Sequence, residues 1–294
     1  RFIEAAASHD LDIHLALILE SAPEHIVATH PAWLYISNIG HPLYPYARPR
    51  FPFGGWPGVC FDHDAAQEAA RPFITELARR AQTHERITAI EAWSGVAFPP
   101  AFHAAENNER YCFCPATEAR FIEWLRATYH DDLDALNRSW MRHYTDWSHV
   151  APPRYYSSFP DNMDWLRFLA HRQERLLAWR VDTLRDAGYS KTVSAHTGLD
   201  HPLHPELAVD DHACAARVDA WGFTNAHVFE GKAHAHLPFF GAELARGAAR
   251  GKPFSLSQLR IGPFVSHSFQ REAGHSAAFV RANRNAAFGH CQGD

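Results

Sequence analysis

Short apolar runs alternate along this chain with stretches of helical periodicity, and that alternation restricts its fold more than any other feature. Leu11–Leu19, Ile87–Trp93, Thr192–Thr197, Asp219–Asn225 and Pro253–Leu259 have the length and composition of buried strands. Between them, Asp64–Gln82 carries a helical stripe of Ala65, Ala69, Phe73, Leu77 and Ala81. Thr117–Tyr129, Asp132–Trp140, Asp210–Arg217, Gly241–Arg250 and Arg271–Phe288 read as further helices. Asp164–Asp186 is a long one, with Trp165, Phe168, Leu169, Leu176 and Val181 inward and a stop near Gly188. Strands that alternate with helices run parallel and connect by right-handed crossovers. A (β/α)8 barrel of the TIM type and a doubly wound sheet both satisfy this. No Gly-rich phosphate loop follows any strand, which favours the barrel. Glu20, Trp93, His196, Asn225 and Gln258 stand at or just after strand ends, where a barrel builds its active-site rim. The stretch Trp140–Pro160, rich in Trp, Tyr and Pro, reads as a long loop over the barrel mouth.

The chain has 294 residues, 21% charged and 46% hydrophobic, enough for one large domain with a full core. A formal charge of −5 argues against a nucleic-acid partner, which calls for a basic face. No apolar run reaches membrane-spanning length, so no membrane partner is expected. Five cysteines cannot all pair within the chain, which points to a reducing, cytoplasmic setting. The opening Arg1-Phe-Ile-Glu-Ala-Ala-Ala7 is an amphipathic helix pattern with no initiator Met, as expected of a piece of something longer. Aromatic residues reach 13%. They stack on pyranose faces as readily as they fill a core, and both uses stay open.

An ordered series of motifs narrows the reading. Leu17-Ile-Leu-Glu-Ser-Ala-Pro23, Arg48-Pro-Arg-Phe-Pro-Phe-Gly-Gly-Trp56, Tyr111-Cys-Phe-Cys-Pro115, Phe121-Ile-Glu-Trp-Leu125, Leu136-Asn-Arg-Ser-Trp140, Tyr144-Thr-Asp-Trp147 and Lys252-Pro-Phe-Ser-Leu-Ser257 follow one another along nearly the whole chain. Together they resemble the catalytic barrel of glycoside hydrolase family 42, the β-galactosidase family. The resemblance implies that the predicted strands are the third to seventh of the barrel. Residues 1–294 would then form a single incomplete barrel domain, its remaining strands lying outside the chain. An open barrel exposes strand edges, so such a domain is expected to be marginal alone or to be completed by the missing segments.

The resemblance also implies retaining hydrolysis of terminal β-galactosides or related oligosaccharides, with carbohydrate as partner and no cofactor needed for the chemistry. Full-length members form homo-oligomers. The mechanism needs two carboxyls about 5 Å apart, a nucleophile and an acid/base. Carried over by motif, the nucleophile falls on Gln258 and the acid/base on Phe98, and neither residue can do that work. Glu109, in an Asn-Glu pair before Cys112, is an alternative acid/base, and Glu91 and Glu106 lie nearby. Glu20, Trp56, Trp93, Trp147, His196, Trp221 and Asn225 are candidate substrate contacts, with core packing the competing role for Trp93 and Trp221.

Cys60, Cys112 and Cys114 match positions that hold a structural zinc in some members of the family. Thiolates at Cys-x-Cys spacing plus a distant Cys suit tetrahedral zinc. Thr117 stands at the fourth position, His63 could substitute, and three buried free thiols are the alternative. His201, His204, His227, His234 and His236 imitate a metal hydrolase but read as solvated loop histidines. The sequence thus leaves a β-galactosidase-like hydrolase, a catalytically silent carbohydrate-binding barrel, and a non-functional fragment in competition.

Overall fold

The computed structural model of the chain describes residues 2–45, 57–96, 109–155, 159–197, 208–225 and 237–259. Its helices are α1 (Phe2–Ser8), α2 (Glu24–Thr29), α3 (Asp64–Thr83), α4 (Pro115–Thr128), α5 (Leu133–Trp140), α6 (Phe159–Asp186), α7 (Asp211–Ala216) and α8 (Leu237–Ala249). Its strands are β1 (Ile13–Ala16), β2 (Tyr35–Ile36), β3 (Pro42–Leu43), β4 (Ile87–Val96), β5 (Thr192–Thr197), β6 (Ala220–Asn225) and β7 (Phe254–Leu259). The expected strand Leu11–Leu19 is shorter than its apolar run. Leu11 is exposed, and past Ala16 only the Leu17 N–H reaches the β4 edge, donating to the Glu91 carbonyl at 2.9 Å. The antiparallel pair β2–β3 went unpredicted, because two residues per strand carry no periodicity. The predicted helix Arg271–Phe288 lies outside the described residues. No described helix is long and apolar enough to cross a membrane.

β1, β4, β5, β6 and β7 form one sheet in that order, every pair parallel. Each new strand joins beside the one before it. A doubly wound sheet reverses direction at a switch point; this sheet does not, and its order is that of a barrel wall.

Two compact units divide the chain. One comprises Arg1–Leu17, Ile74–Ala97 and Leu177–Asp294 and carries the five-stranded sheet. Two lysines fasten its lower end. Lys191, just ahead of β5, donates to the carbonyls of Ala81, His84 and Ile87 at 3.0, 2.7 and 2.7 Å, around the turn into β4. Lys252, just ahead of β7, donates to those of Ala215 and Val218 at 2.9 and 2.8 Å, around the turn into β6. Each ammonium gathers carbonyls from a helix end and from the turn that follows it.

The other unit comprises Ile18–Phe73 and Phe98–Leu176. Its core is aromatic. Phe121 meets Trp165 edge-on with centroids 5.0 Å apart and Phe168 at 5.2 Å, and Phe113 stacks on Trp165 at 5.0 Å. The buried Asp164 carboxylate accepts from the Tyr129 hydroxyl at 2.6 Å and the Trp140 indole at 2.8 Å, so both polar tips are satisfied. Asp132 caps α5 by accepting the Ala135 N–H at 2.9 Å, and Met141, left-handed at φ 54°, ends it.

The stripe foreseen on α3 holds at Ala81 but is displaced by one residue over the rest of the helix. Ala66, Ile74, Ala78 and Ala81 are buried, whereas Ala65, Ala69 and Phe73 are exposed. The sequence offers two parallel i, i+4 rows, and the bulk of Phe73 favours the wrong one on hydrophobicity alone. The buried row is mostly alanine, which permits close packing that Phe would block.

Candidate functional site

The sheet of the first unit has two chemically different faces. The Arg180 guanidinium of α6 lies 4.0 Å from the Trp93 ring centroid. The Trp221 indole donates to Asp211 of α7 at 3.1 Å. A Cβ on Gly241 of α8 would stand 2.5 Å from the Phe223 ring. Trp93, Trp221 and Phe223 therefore face the helices. Ala195 pairs in register with both Trp93 and Trp221, so it shares their side. By alternation, Ser194, His196, Gly222 and Thr224 take the opposite face. Glu91 joins them as the register partner of Ser194.

That opposite face is the barrel's inner face, which bulky aliphatic residues normally fill. Here it is polar. His196 Nδ1 meets Glu91 Oε1 at 2.5 Å, and His14 Nε2 meets Ser194 Oγ at 2.9 Å. His196 is fully buried, and Glu91, Ser194 and Thr224 are buried as well. Polar groups placed where aliphatic packing would be cheaper mark a site rather than a core.

The pairing of β6 with β7 sets Gln258 beside Thr224 and Leu259 beside Asn225. His196, Thr224 and Gln258 are each the second-to-last residue of their strand. Three adjacent strands thus bring them to the carboxyl end of the sheet, the end at which barrels of this type work. Trp93 and Trp221 are 2% and 0% exposed and face the helices, so packing accounts for both.

Glu20, Glu109, Trp147, Cys60, Cys112 and Cys114 belong to the second unit. Glu20 is buried, and its carbonyl lies 3.1 Å from where a Cβ on Gly58 would stand. Trp147 is half-buried, with the Arg126 guanidinium 5.6 Å from its ring centroid. Glu109 accepts the Tyr111 hydroxyl at 2.7 Å and contacts His41 at 3.3 Å. The Tyr111 hydrogen bond, followed by that of His41, holds its carboxyl below the usual range. An acid/base needs its proton near neutral pH, so these surroundings oppose that role. Trp56, Phe98, Glu106, His201, His204, His227, His234 and His236 lie outside the described residues.

Sequence reading passed over His14 and Ser194. The available signal was the alternation in Val193-Ser-Ala-His196. Parallel strands buried on both faces read as continuous apolar runs, so alternating polar residues pointed to a face with another purpose.

The three cysteines do converge. Cys60, Cys112 and Cys114 are all buried, their sulfurs lie within 4.8 Å of one another, and Cys60 and Cys114 are 3.8 Å apart. A tetrahedron with Zn–S bonds of about 2.3 Å has edges of about 3.8 Å. Thr117 Oγ1 lies 3.4 Å from Cys60 Sγ and 3.3 Å from Cys114 Sγ. Its proton goes to Asp62 Oδ2 at 2.7 Å, which turns its lone pairs toward the sulfurs. Asp62 is held in turn by Arg172 at 2.5 Å and by Arg175. Hydrogen bonding from Cys112 and then Cys60 lowers the Cys114 thiol's pKa, while burial raises that of Cys112. This donor set fits a zinc ion, which would tie the segment around Cys60 to the start of α4. His63 does not belong to the cluster.

Comparison with known proteins agrees with the geometry. The β-galactosidase BgaA of Thermus sp is 24% identical over 280 residues, covering 87% of this chain and 40% of that protein. The β-galactosidase of Thermus thermophilus is 24% identical over 284 residues, covering 89% and 40%. The chain therefore spans about two fifths of these curated relatives. Among solved structures, the β-galactosidase from Bacillus circulans sp. alkalophilus superposes with a TM-score of 0.70 at 20% identity, covering 87% of this chain and 36% of that one. The β-galactosidase of Halorubrum lacusprofundi gives 0.67 at 17%, covering 84% and 37%. Both likenesses bear on the fold, an α/β barrel of which the described residues supply five parallel strands. The family model described as beta-galactosidase matches residues 1–289, so the chain belongs to glycoside hydrolase family 42.

Proposed function

We propose that this chain recognises β-galactoside-type carbohydrate on the inner face of its barrel, and that it does so without the carboxylate pair of retaining hydrolysis. The observation that carries the reading is the polar inner face, where Glu91, Ser194, His196 and Thr224 replace aliphatic filling. Buried, directional polar groups at the carboxyl ends of barrel strands suit a ligand covered with hydroxyls. The family supplies the ligand class, and its chemistry calls for no cofactor. By resemblance the nucleophile and acid/base positions hold Gln258 and Phe98. An amide and a phenyl ring provide neither nucleophile nor proton. A homo-oligomeric, cytoplasmic full-length protein belongs to the same proposal.

A second reading is residual hydrolysis through Glu91, favoured by its buried carboxylate on the inner face. Two measurements separate the readings. Calorimetric titration with lactose or methyl β-galactoside should give saturable heat, and no heat at millimolar sugar overturns the recognition proposal. Aryl β-galactoside hydrolysis should be absent in the native chain and appear when Gln258→Glu and Phe98→Glu are combined. Turnover by the native chain that disappears in Glu91→Gln would establish the second reading instead. A double variant that binds sugar yet stays silent would displace the catalytic positions from residues 98 and 258.

A further inference from the structure

We infer that Glu91 and His196 form a hydroxyl-recognition pair in which Glu91 fixes the imidazole tautomer and His196 Nε2 accepts a hydrogen bond from a pyranoside hydroxyl. This rests on the carbohydrate reading above and assigns one contact within it. An ionised carboxylate can only accept, so the 2.5 Å contact places the imidazole proton on Nδ1. In the neutral imidazole Nε2 then carries the lone pair. His196 is fully buried, and its Nε2 has no hydrogen-bond partner among the described residues. A buried acceptor left unmet is destabilising unless something fills it.

Among the described residues, the register explains why nothing fills it. On β6 the partner of His196 is Gly222, which has no side chain to offer. On β4 the neighbouring carboxylate, Glu91, is spent on Nδ1. The occupant must bring a donor. An anion would face both the Glu91 charge and the Nε2 lone pair, so the site rejects phosphates and uronates and admits an uncharged hydroxyl. Glu91 acts here as a positioning residue; His196 makes the contact.

The test is two-bond 15N NMR of the imidazole nitrogens, with His196 assigned by its loss in His196→Gln. In the free 294-residue chain the Nδ1–H tautomer is expected. Methyl β-galactoside should shift the Nε2 resonance saturably, with the midpoint of the calorimetric curve. Glu91→Gln can donate as well as accept, so it should release the tautomer and weaken binding about threefold to tenfold, the worth of one hydrogen bond. His196→Gln retains an acceptor near Nε2 and should bind better than His196→Ala. An Nε2–H tautomer in the free protein would overturn the inference. So would sugar binding that leaves Nε2 unmoved, the result if only water fills the position, and in that case the carbohydrate reading survives. Absence of any binding overturns the carbohydrate reading and this assignment with it.

Discussion

Arg172 and Asp62 stand 110 positions apart in sequence and form a fully buried ion pair. Replacing Arg172 with methionine fills the volume but takes away the buried partner of the carboxylate, leaving it to Arg175, Thr117 and Cys60. Removing one member of such a pair costs about 3–5 kcal/mol, and urea unfolding of Arg172→Met should show a loss of that size. Glu109 makes a prediction about pH. Its pKa in the folded protein lies below that in the unfolded chain, so its contribution is present at neutral pH and is lost as pH falls through the depressed value. Tyr111→Phe removes the chief cause and should move the Glu109 midpoint upward in a carboxyl NMR titration; an unmoved midpoint would show that Tyr111 is not that cause. Among single residues, the Cys112-x-Cys114 spacing was legible, because sequence-local ligands carry their own geometry. The Asp62–Arg172 pair was not, since nothing local links the two. Glu91 was noticed only as a stray carboxylate, because its meaning depends on a histidine from the next strand.

At the level of elements, sequence periodicity located the sheet strands and most helices to within a few residues. It failed where two rows competed. On α3 the contrast is measurable: Ile74→Ala removes a fully buried side chain and should cost about 2–5 kcal/mol. Phe73→Ala, at a 57% exposed position, should stay within about 0.5 kcal/mol. Equal losses at both sites would restore the row built on Phe73. The motifs that made the family recognisable turn out to be largely packing. Phe121, Leu125, Leu136 and Trp140 are at most 1% exposed in the second unit. A chain can keep that signature while its chemistry changes, because the signature records how the helices fit and not what the barrel mouth does.

For the whole molecule, the monotonic strand order is the fact that sequence could only narrow down. Alternation alone fits both the barrel and the doubly wound sheet; the missing phosphate loop and the motif resemblance chose the barrel, and the pairing of distant segments bears that out. The polar inner face followed from the same pairings. Lys191 and Lys252 then acquire a wider meaning. Both clips sit where strands enter the sheet, and the residues proposed to meet sugar sit where strands leave it. The frame is thus bolted at its floor, independently of whatever happens at its roof. Loops at the roof can be lengthened, exchanged or stripped of catalytic groups without loosening a single bolt, and a lineage built this way can lose an activity long before it loses its shape.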